Sequence, residues 1–439
     1  MLEIDANMRM DTGMKLFSRI MIDSLCFAAG LLAASAAPSA NLDGATGKVF
    51  NVNIEAQSFE LLTETKYDPK TDIGKSRFTV FWNDSTEIVQ EKEIQTFADV
   101  EGPVMAEFYG IDKENAKALA AGKPFQAQVA EVYVGFDSLE PSVEDQVSVI
   151  GWFTPQKKGG IHQGVIEIDG EKVPVSLHKR QWKIVYHKPL EASQLAEGFW
   201  KATLDGAYQE DRFVIDSMEV TSLPDPRAMD VGSLPRVLVI GDSISMNYQH
   251  AAKTALDGVV NYHRNDGNAL SSVHGASNAD LWLGNFGEED MHWDVIQFNH
   301  GLHDLKQSYD KKTNTFGDYA VPIELYKESL EKEIAVLKRT GATLIWATTT
   351  PVPRDIKTQY ARRKGAAEIF NKAALEVMGK HPEILITDLH EVVKNLPVYD
   401  EWREGYDVHF YKHEEQRLLG EAVADGILRA LIQKLESGQ

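Results

Sequence analysis

Residues 236–245 read RVLVIGDSIS. After Arg236 come four apolar residues in a row, with no alternation, as in a strand buried on both faces. A glycine and an aspartate follow, and then a helical pattern begins. Comparable short runs recur as VNYH (260–263), DVIQFN (294–299), TLIWAT (343–348) and ILITDL (384–389). Helical patterns separate them. VPIELYKESLEKEIAVLKRTG (321–341) has apolar residues at helical spacing and a closing glycine; ARRKGAAEIFNKAALEVMGK (361–380) and HEEQRLLGEAVADGILRALIQKL (413–435) behave likewise. Five strands with crossover helices predict a doubly wound parallel α/β sheet over residues 236–435. Ligands of such sheets bind beyond the C-terminal ends of the strands, so the candidate site is sought there.

Upstream the pattern changes. Residues 45–223 are β-rich: VFNVNIEAQSFELL, RFTVFW, VSVIGWF and WKIVYH cluster β-branched and aromatic residues between turn signals. One helical patch, KENAKALAAGK at 113–123, interrupts them. A sandwich or small barrel is expected, as two units dividing near residue 145. Residues 224–235, rich in proline, read as a linker. At the other end, residues 14–36 carry Lys15 and Arg19, an uncharged stretch from Ser24 to Ala36, and Ala34-Ser35-Ala36. That order is the pattern of a secretory signal peptide over 1–36, and it predicts an exported protein, periplasmic or secreted.

The 439 residues include 45 Lys+Arg and 66 Asp+Glu, a net charge of -21. A field of that sign disfavours nucleic-acid partners and anionic lipid surfaces. No stretch of 18 apolar residues occurs, so no membrane span is expected once the signal is removed. Cys26 is the only cysteine, which excludes a disulfide framework and a cysteine-based zinc site. No H-E-x-x-H spacing appears, and neither metal nor cofactor is expected.

Three groups stand out, two of them at predicted strand ends. The first strand runs into Gly241-Asp242-Ser243, placing Ser243 at a helix N-terminus whose N–H groups suit an oxyanion. The third runs into His300-Gly301-Leu302-His303-Asp304. Before the last helix stands Asp407-Val408-His409. A neutral histidine beside a serine hydroxyl is the base that activates it, and a carboxylate orients the ring. Each group also has a structural reading: an N-cap serine, a polar loop with Asp304 as a cap, and a loop histidine with its own partner.

Taken together, these motifs resemble the SGNH (GDSL-type) hydrolases over about 236–432. The resemblance implies a flavodoxin-like domain with Ser243 as nucleophile and His409 as base. The family's G-x-N-D block aligns on Gly301-Leu302-His303-Asp304, so His303 stands where the family has its oxyanion asparagine; Asn299 is the substitute donor. The family's D-x-x-H block aligns on His409, with Tyr406 three residues before it. Asp407 is therefore the expected triad acid, Glu404 the alternative, and a Ser243–His409 dyad a third arrangement. Gly267 is the expected backbone oxyanion donor, with Ala269 as substitute. The implied activity is ester hydrolysis through an acyl-enzyme. Export and a β-rich companion region resemble bacterial carbohydrate esterases, which points to an acetylated carbohydrate. Trp152, Trp182, Trp200, Trp282, Trp293 and Trp402 are candidates for a sugar platform. The competing readings are a lipase, lysophospholipase or thioesterase on the same fold, and a catalytically degenerate carbohydrate-binding protein. The residues do not specify an oligomeric state.

Overall fold

The computed structural model describes residues 42–437 apart from 65–66, 140, 144–145, 157–161, 289 and 397–406. The expected export signal lies outside these residues, as do Trp402, Glu404 and Tyr406. Thirteen strands occupy the described part of the N-terminal region. They are β1 (Thr46–Asn53), β2 (Ser58–Leu62), β3 (Arg77–Phe81), β4 (Glu87–Ile94), β5 (Val104–Tyr109), β6 (Phe125–Ala127), β7 (Val129–Tyr133), β8 (Val149–Pro155), β9 (Gln163–Ile168), β10 (Glu171–Leu177), β11 (Lys183–Pro189), β12 (Phe199–Gln209) and β13 (Arg212–Leu223). Two helices accompany them, α1 (Lys113–Ala120) and α2 (Ala192–Leu195).

Strands β12, β1, β2, β3 and β13 are successive neighbours, and β13 pairs back onto β12. The five close into a ring around Phe59, Leu61, Val80, Leu204, Phe213 and Ile215. From β13 the sheet continues through β4, β11, β7, β5, β8, β9, β10 and β6. This part covers a second cluster that includes Phe108, Phe125, Phe153 and Ile184. The expected division near residue 145 is not how the strands pair. β5 lies against β8 with Ala106 opposite Gly151, and β1 lies against β12 with Thr46 opposite Thr203. Both pairings join segments on either side of residue 145, because each apolar face is completed by strands distant in sequence.

The C-terminal region begins with β14 (Arg236–Ile240), α3 (Ser243–Ala255), β15 (Asn261–Arg264), α4 (Ser272–Leu283) and β16 (Val295–Phe298). A hairpin, β17 (Gln307–Asp310) and β18 (Thr315–Tyr319), precedes α5 (Ile323–Lys338) and β19 (Thr343–Ala347). Then come α6 (Ala366–Met378), β20 (Leu385–Thr387), α7 (Leu389–Lys394) and α8 (His413–Ser437). The sheet order is β15-β14-β16-β19-β20, with every pairing parallel. Every residue of β14 and β16 is buried, as their unbroken apolar runs require. α3 and α7 pack on α8, while α4 and α6 pack on α5. The crossovers after β14 and β16 diverge, and this is the crevice in which such sheets bind ligands.

The segment between β2 and β3 lies against α4. Gly74 N–H donates to Ser277 Oγ at 2.7 Å, and Ser271 Oγ donates to Pro69 O at 2.8 Å. Tyr67 Oη lies 3.0 Å from His274 Nδ1. Among the described residues, no helix is long and apolar enough to cross a membrane.

Candidate active site

At the end of β14, Asp242 has extended backbone and its carboxylate accepts the Ile244 N–H at 2.9 Å. Asp242 is therefore the N-cap of α3, and not Ser243 as the structural reading of the tripeptide had it. The capping role leaves the Ser243 hydroxyl available to another partner. That partner is His409, whose Nε2 lies 2.8 Å from Ser243 Oγ. Asp407 holds the opposite side of the ring: its Oδ2 is 3.3 Å from His409 Nδ1, and its Oδ1 accepts the His409 backbone N–H at 2.9 Å. Tyr411 Oη also donates to Asp407 Oδ2, at 2.6 Å. Burial works to raise the Asp407 carboxyl, but the Tyr411 hydroxyl and the His409 N–H and ring outweigh it and hold the group below the usual carboxylate range.

Arg264 fastens the loops around this serine. Its guanidinium donates to Gly241 O (2.8 Å), Asp242 O (3.2 Å), Ser245 Oγ (2.8 Å), Asn265 O (2.8 Å) and Gly267 O (2.7 Å). Asn265 Oδ1 accepts the Gly241 N–H at 2.9 Å. Gly267 adopts φ of 64°, a conformation that favours glycine. Its carbonyl is committed to Arg264, while no acceptor for its N–H stands among the described residues. Ala269, the substitute donor, donates its N–H to Gly241 O at 3.2 Å and has none to offer a ligand.

The loop after β16 divides its polar groups between structure and site. Asn299 Nδ2 donates to Ala347 O at 2.6 Å and to Thr349 Oγ1 at 3.4 Å. Both amide hydrogens are thus spent on the end of β19, which removes Asn299 as an oxyanion donor. His300 is fully buried between Leu270 O (3.2 Å from Nδ1) and Glu333 Oε1 (3.1 Å from Nε2). Burial works against its charge, but the Glu333 carboxylate overcomes this and pushes the imidazole up to about 9. Gly301 must be glycine, since a Cβ there would lie 2.1 Å from Thr349 Oγ1. Asp304 is buried and caps α4, with Ser272 N at 2.9 Å from Oδ1 and Ser272 Oγ at 2.6 Å. Burial pushes its carboxyl up to about 6.

His303 is different. Lys306 Nζ, which can only donate, gives a hydrogen to His303 Nδ1 at 2.9 Å. Burial, and then the charges of Lys306 and Arg362, push this imidazole down to about 3. At neutral pH the ring is uncharged, and with Nδ1 accepting, Nε2 carries the hydrogen. His303 is therefore a fixed N–H donor. It lines a cleft of about 560 Å³ with Pro69, Lys70, Lys306, Gln307 and Tyr360. Tyr360 is 58% exposed, and Lys306 Nζ lies 5.1 Å from its ring centre.

None of the five described platform candidates, Trp152, Trp182, Trp200, Trp282 and Trp293, lines this cleft. Trp200 and Trp293 are buried, and with Trp282 they border a separate cavity of about 210 Å³ beside Arg236. Trp182 packs on His162 with ring centres 4.2 Å apart, and Trp152 is on β8. Sequence reasoning missed Arg264, Arg362 and Lys306. Arg362 is buried, donates to Leu302 O at 2.9 Å, and its charge acts on Asp242 and Asp407. Only Lys306 left a trace, as a cation three residues after His303.

No family model and no curated protein matches the chain. Among solved structures it is similar to the C-terminal catalytic domain of peptidoglycan O-acetyltransferase A from Streptococcus pneumoniae. Identity is 20% and the TM-score 0.31, over 46% of this chain and 96% of that one. It is similar to a lipase/acylhydrolase from Enterococcus faecalis at 17% identity and TM-score 0.33, over 44% of this chain and 95% of the other. A third is an acetyl xylan esterase, at 13% identity and TM-score 0.34, over 44% and 99%. Others among the similar solved structures are described as a GDSL-like lipase and a putative SGNH hydrolase.

Proposed function

We propose that this protein is a serine ester hydrolase whose catalytic unit spans 236–435 and whose substrate is an acetylated carbohydrate. The observation that carries the reading is the 2.8 Å contact between Ser243 Oγ and His409 Nε2, with Asp407 on the far side of the ring. His409 takes the proton of Ser243 as its oxygen attacks the ester carbonyl, then returns it to the departing alcohol. Water, activated by His409, cleaves the acyl-enzyme and releases the acid. Asp407 fixes the ring and stabilises the imidazolium. The N–H groups of Ser243 and Gly267 and the Nε2–H of His303 hold the oxyanion. Export through residues 1–36 belongs to the same proposal.

The cleft supports the carbohydrate assignment. An exposed Tyr360 ring offers a flat apolar face, and Lys70, Lys306 and Gln307 offer hydrogen bonds around it. That mixture suits a hydroxylated ring better than an alkyl chain.

The test is hydrolysis of p-nitrophenyl acetate, butyrate and octanoate, followed by acetate release from acetylated xylan and acetylated chitosan. Acetate should be cleaved fastest and a polysaccharide deacetylated. Preference for octanoate would give the site to the lipase reading.

Two further outcomes follow from His303. His303→Ala should lower kcat on the acetate ester by about 10²–10³-fold, the usual loss for one oxyanion donor, with KM little changed. Burial, and then the charge of Arg362, lower Lys306 to about 8. Losing that proton releases the constraint on the His303 tautomer, so kcat should decline as pH rises through about 8. Lys306→Gln, which keeps an N–H donor without titrating, should remove that alkaline limb from the pH profile.

A further inference from the structure

The N-terminal sheet has a polar face that the esterase reading does not use. On β5, β7 and β11 alternate residues, Ala106, Phe108, Ala130, Val132 and Ile184, enter the apolar interior. Met218 and Val220 of β13 do the same in the neighbouring cluster. Their neighbours in sequence face the other side, because successive side chains of a strand alternate. Register brings Glu107 opposite Glu131 and His187 opposite Glu91, and Glu219 stands on β13 next to β4. Four carboxylates thus share one stretch of sheet with a single imidazole.

These groups are incompletely satisfied. His187 is 8% exposed, and its buried Nε2 has no hydrogen-bond partner; Glu131 Oε2 is 3.6 Å away. Glu107 is buried with Oε1 unpartnered, its other oxygen accepting Ser142 N–H at 2.8 Å. Glu131 accepts neutral hydroxyls, from Tyr109 at 2.8 Å and Tyr133 at 2.6 Å. One ligand atom from each of Glu91, His187 and Glu219 lies within 4.8 Å of the other two. Like charges this close do not stay ionised together without a proton or a cation.

We propose that Glu91, His187 and Glu219 form a binding site for one divalent transition-metal ion of the Zn²⁺ class. One imidazole nitrogen and two carboxylate oxygens suit Zn²⁺ better than Ca²⁺ or Mg²⁺, which prefer all-oxygen shells. Bonds of about 2.0–2.2 Å set ligand atoms about 3.4 Å apart around a tetrahedral ion, so the site closes with rotamer shifts of about 1 Å. Glu219 is exposed, which gives the ion an entry path and leaves room for water as fourth ligand. The ion ties β4, β11 and β13 together where the five-stranded ring meets the rest of the sheet. No ligand motif announced it, because its ligands are drawn from residues 91, 187 and 219.

The test is titration of EDTA-treated full-length protein with ZnCl₂ by calorimetry, beside MgCl₂ and CaCl₂, with thermal unfolding followed in parallel. One Zn²⁺ should bind per chain and raise the unfolding temperature. Glu219→Gln and His187→Ala should each weaken binding by about 100-fold or more and abolish the thermal shift. Glu219→Gln alters an exposed side chain, so it reports on the site even if His187→Ala does not fold. No Zn²⁺ binding, binding unchanged in both variants, or equal response to Ca²⁺ would each overturn the proposal. Esterase activity in Glu219→Gln should match the parent, keeping the result independent of the Ser243 site.

Discussion

Ser243→Ala is expected to lower kcat on p-nitrophenyl acetate by about 10⁴–10⁶-fold. The size follows from the chemistry assigned to this oxygen. In the proposed reaction it is the nucleophile, so its removal abolishes the acyl-enzyme route and leaves only what oxyanion binding does for attack by water. Ser243 is the first residue of α3, and the helix is capped by Asp242. Alanine is a good helix former, so the fold should be retained and the melting temperature should move by no more than a degree or two. His409→Ala should approach the same activity loss, since the hydroxyl then lacks its base. Adding Ser243→Ala to that variant should cost little more, because the two groups act as one unit. Asp407→Asn should cost less than either but still about 10²–10⁴-fold, by disturbing the ring tautomer. A burst of nitrophenol equal to the enzyme concentration would show the acyl-enzyme directly. If the alanine variant keeps parental activity, Ser243 is not the nucleophile.

The features legible in sequence were those set by local pattern. β14, β16 and β19 are buried on both faces, and their apolar runs said so. α5 and α6 present one apolar stripe each, and their periodicity gave them. α4 escaped because its buried side includes Ser272, His274, Ser277 and Asn278, polar residues whose partners include groups on neighbouring segments. Ser277 accepts from Gly74, 203 residues away. The five-stranded ring escaped for the same kind of reason: β3 and β13 pair across more than a hundred residues, and alternation within a strand does not name its neighbour. Ser243 stood out at the strand-to-helix junction after β14 and His409 by the aspartate two residues before it, and the fold sets the two side chains 2.8 Å apart. Arg264 and Arg362 did not stand out, since each acts by gathering backbone carbonyls that carry no sequence signature. Asn299 was misread because an amide beside the site looks the same in sequence whichever way it points.

Breaking the His300–Glu333 pair should be the most destabilising single change in the C-terminal region. Both side chains are fully buried, 3.1 Å apart. Glu333→Ala leaves the imidazole without its hydrogen-bonded counter-charge, with only the more distant Asp304 acting on it, and loss of one partner of a buried pair costs about 3–5 kcal/mol. Urea midpoints at pH 6 should fall accordingly. The pH dependence has a definite sign. His300 is raised from 6.5 to about 9 in the folded protein. Below pH 6.5 both states hold the proton, and the stabilisation is complete. Between 6.5 and 9 the unfolded chain gives up its proton first, so stability falls as pH rises, and above 9 the contribution is gone. Glu333→Gln keeps an acceptor for the ring but removes the charge. It should be less stable than the parent at pH 6, nearly equal at pH 9.5, and flatter in between. The same pair bears on the proposed oxyanion donors, since His300 Nδ1 holds Leu270 O in the loop that includes Gly267, while His303 lies three residues further along the His300 loop. Glu333→Gln should therefore lower kcat while leaving the Ser243–His409 contact in place. A stability profile identical to the parent across pH 6–9.5 would mean that His300 is neutral in the folded state and that the loop is held by packing alone.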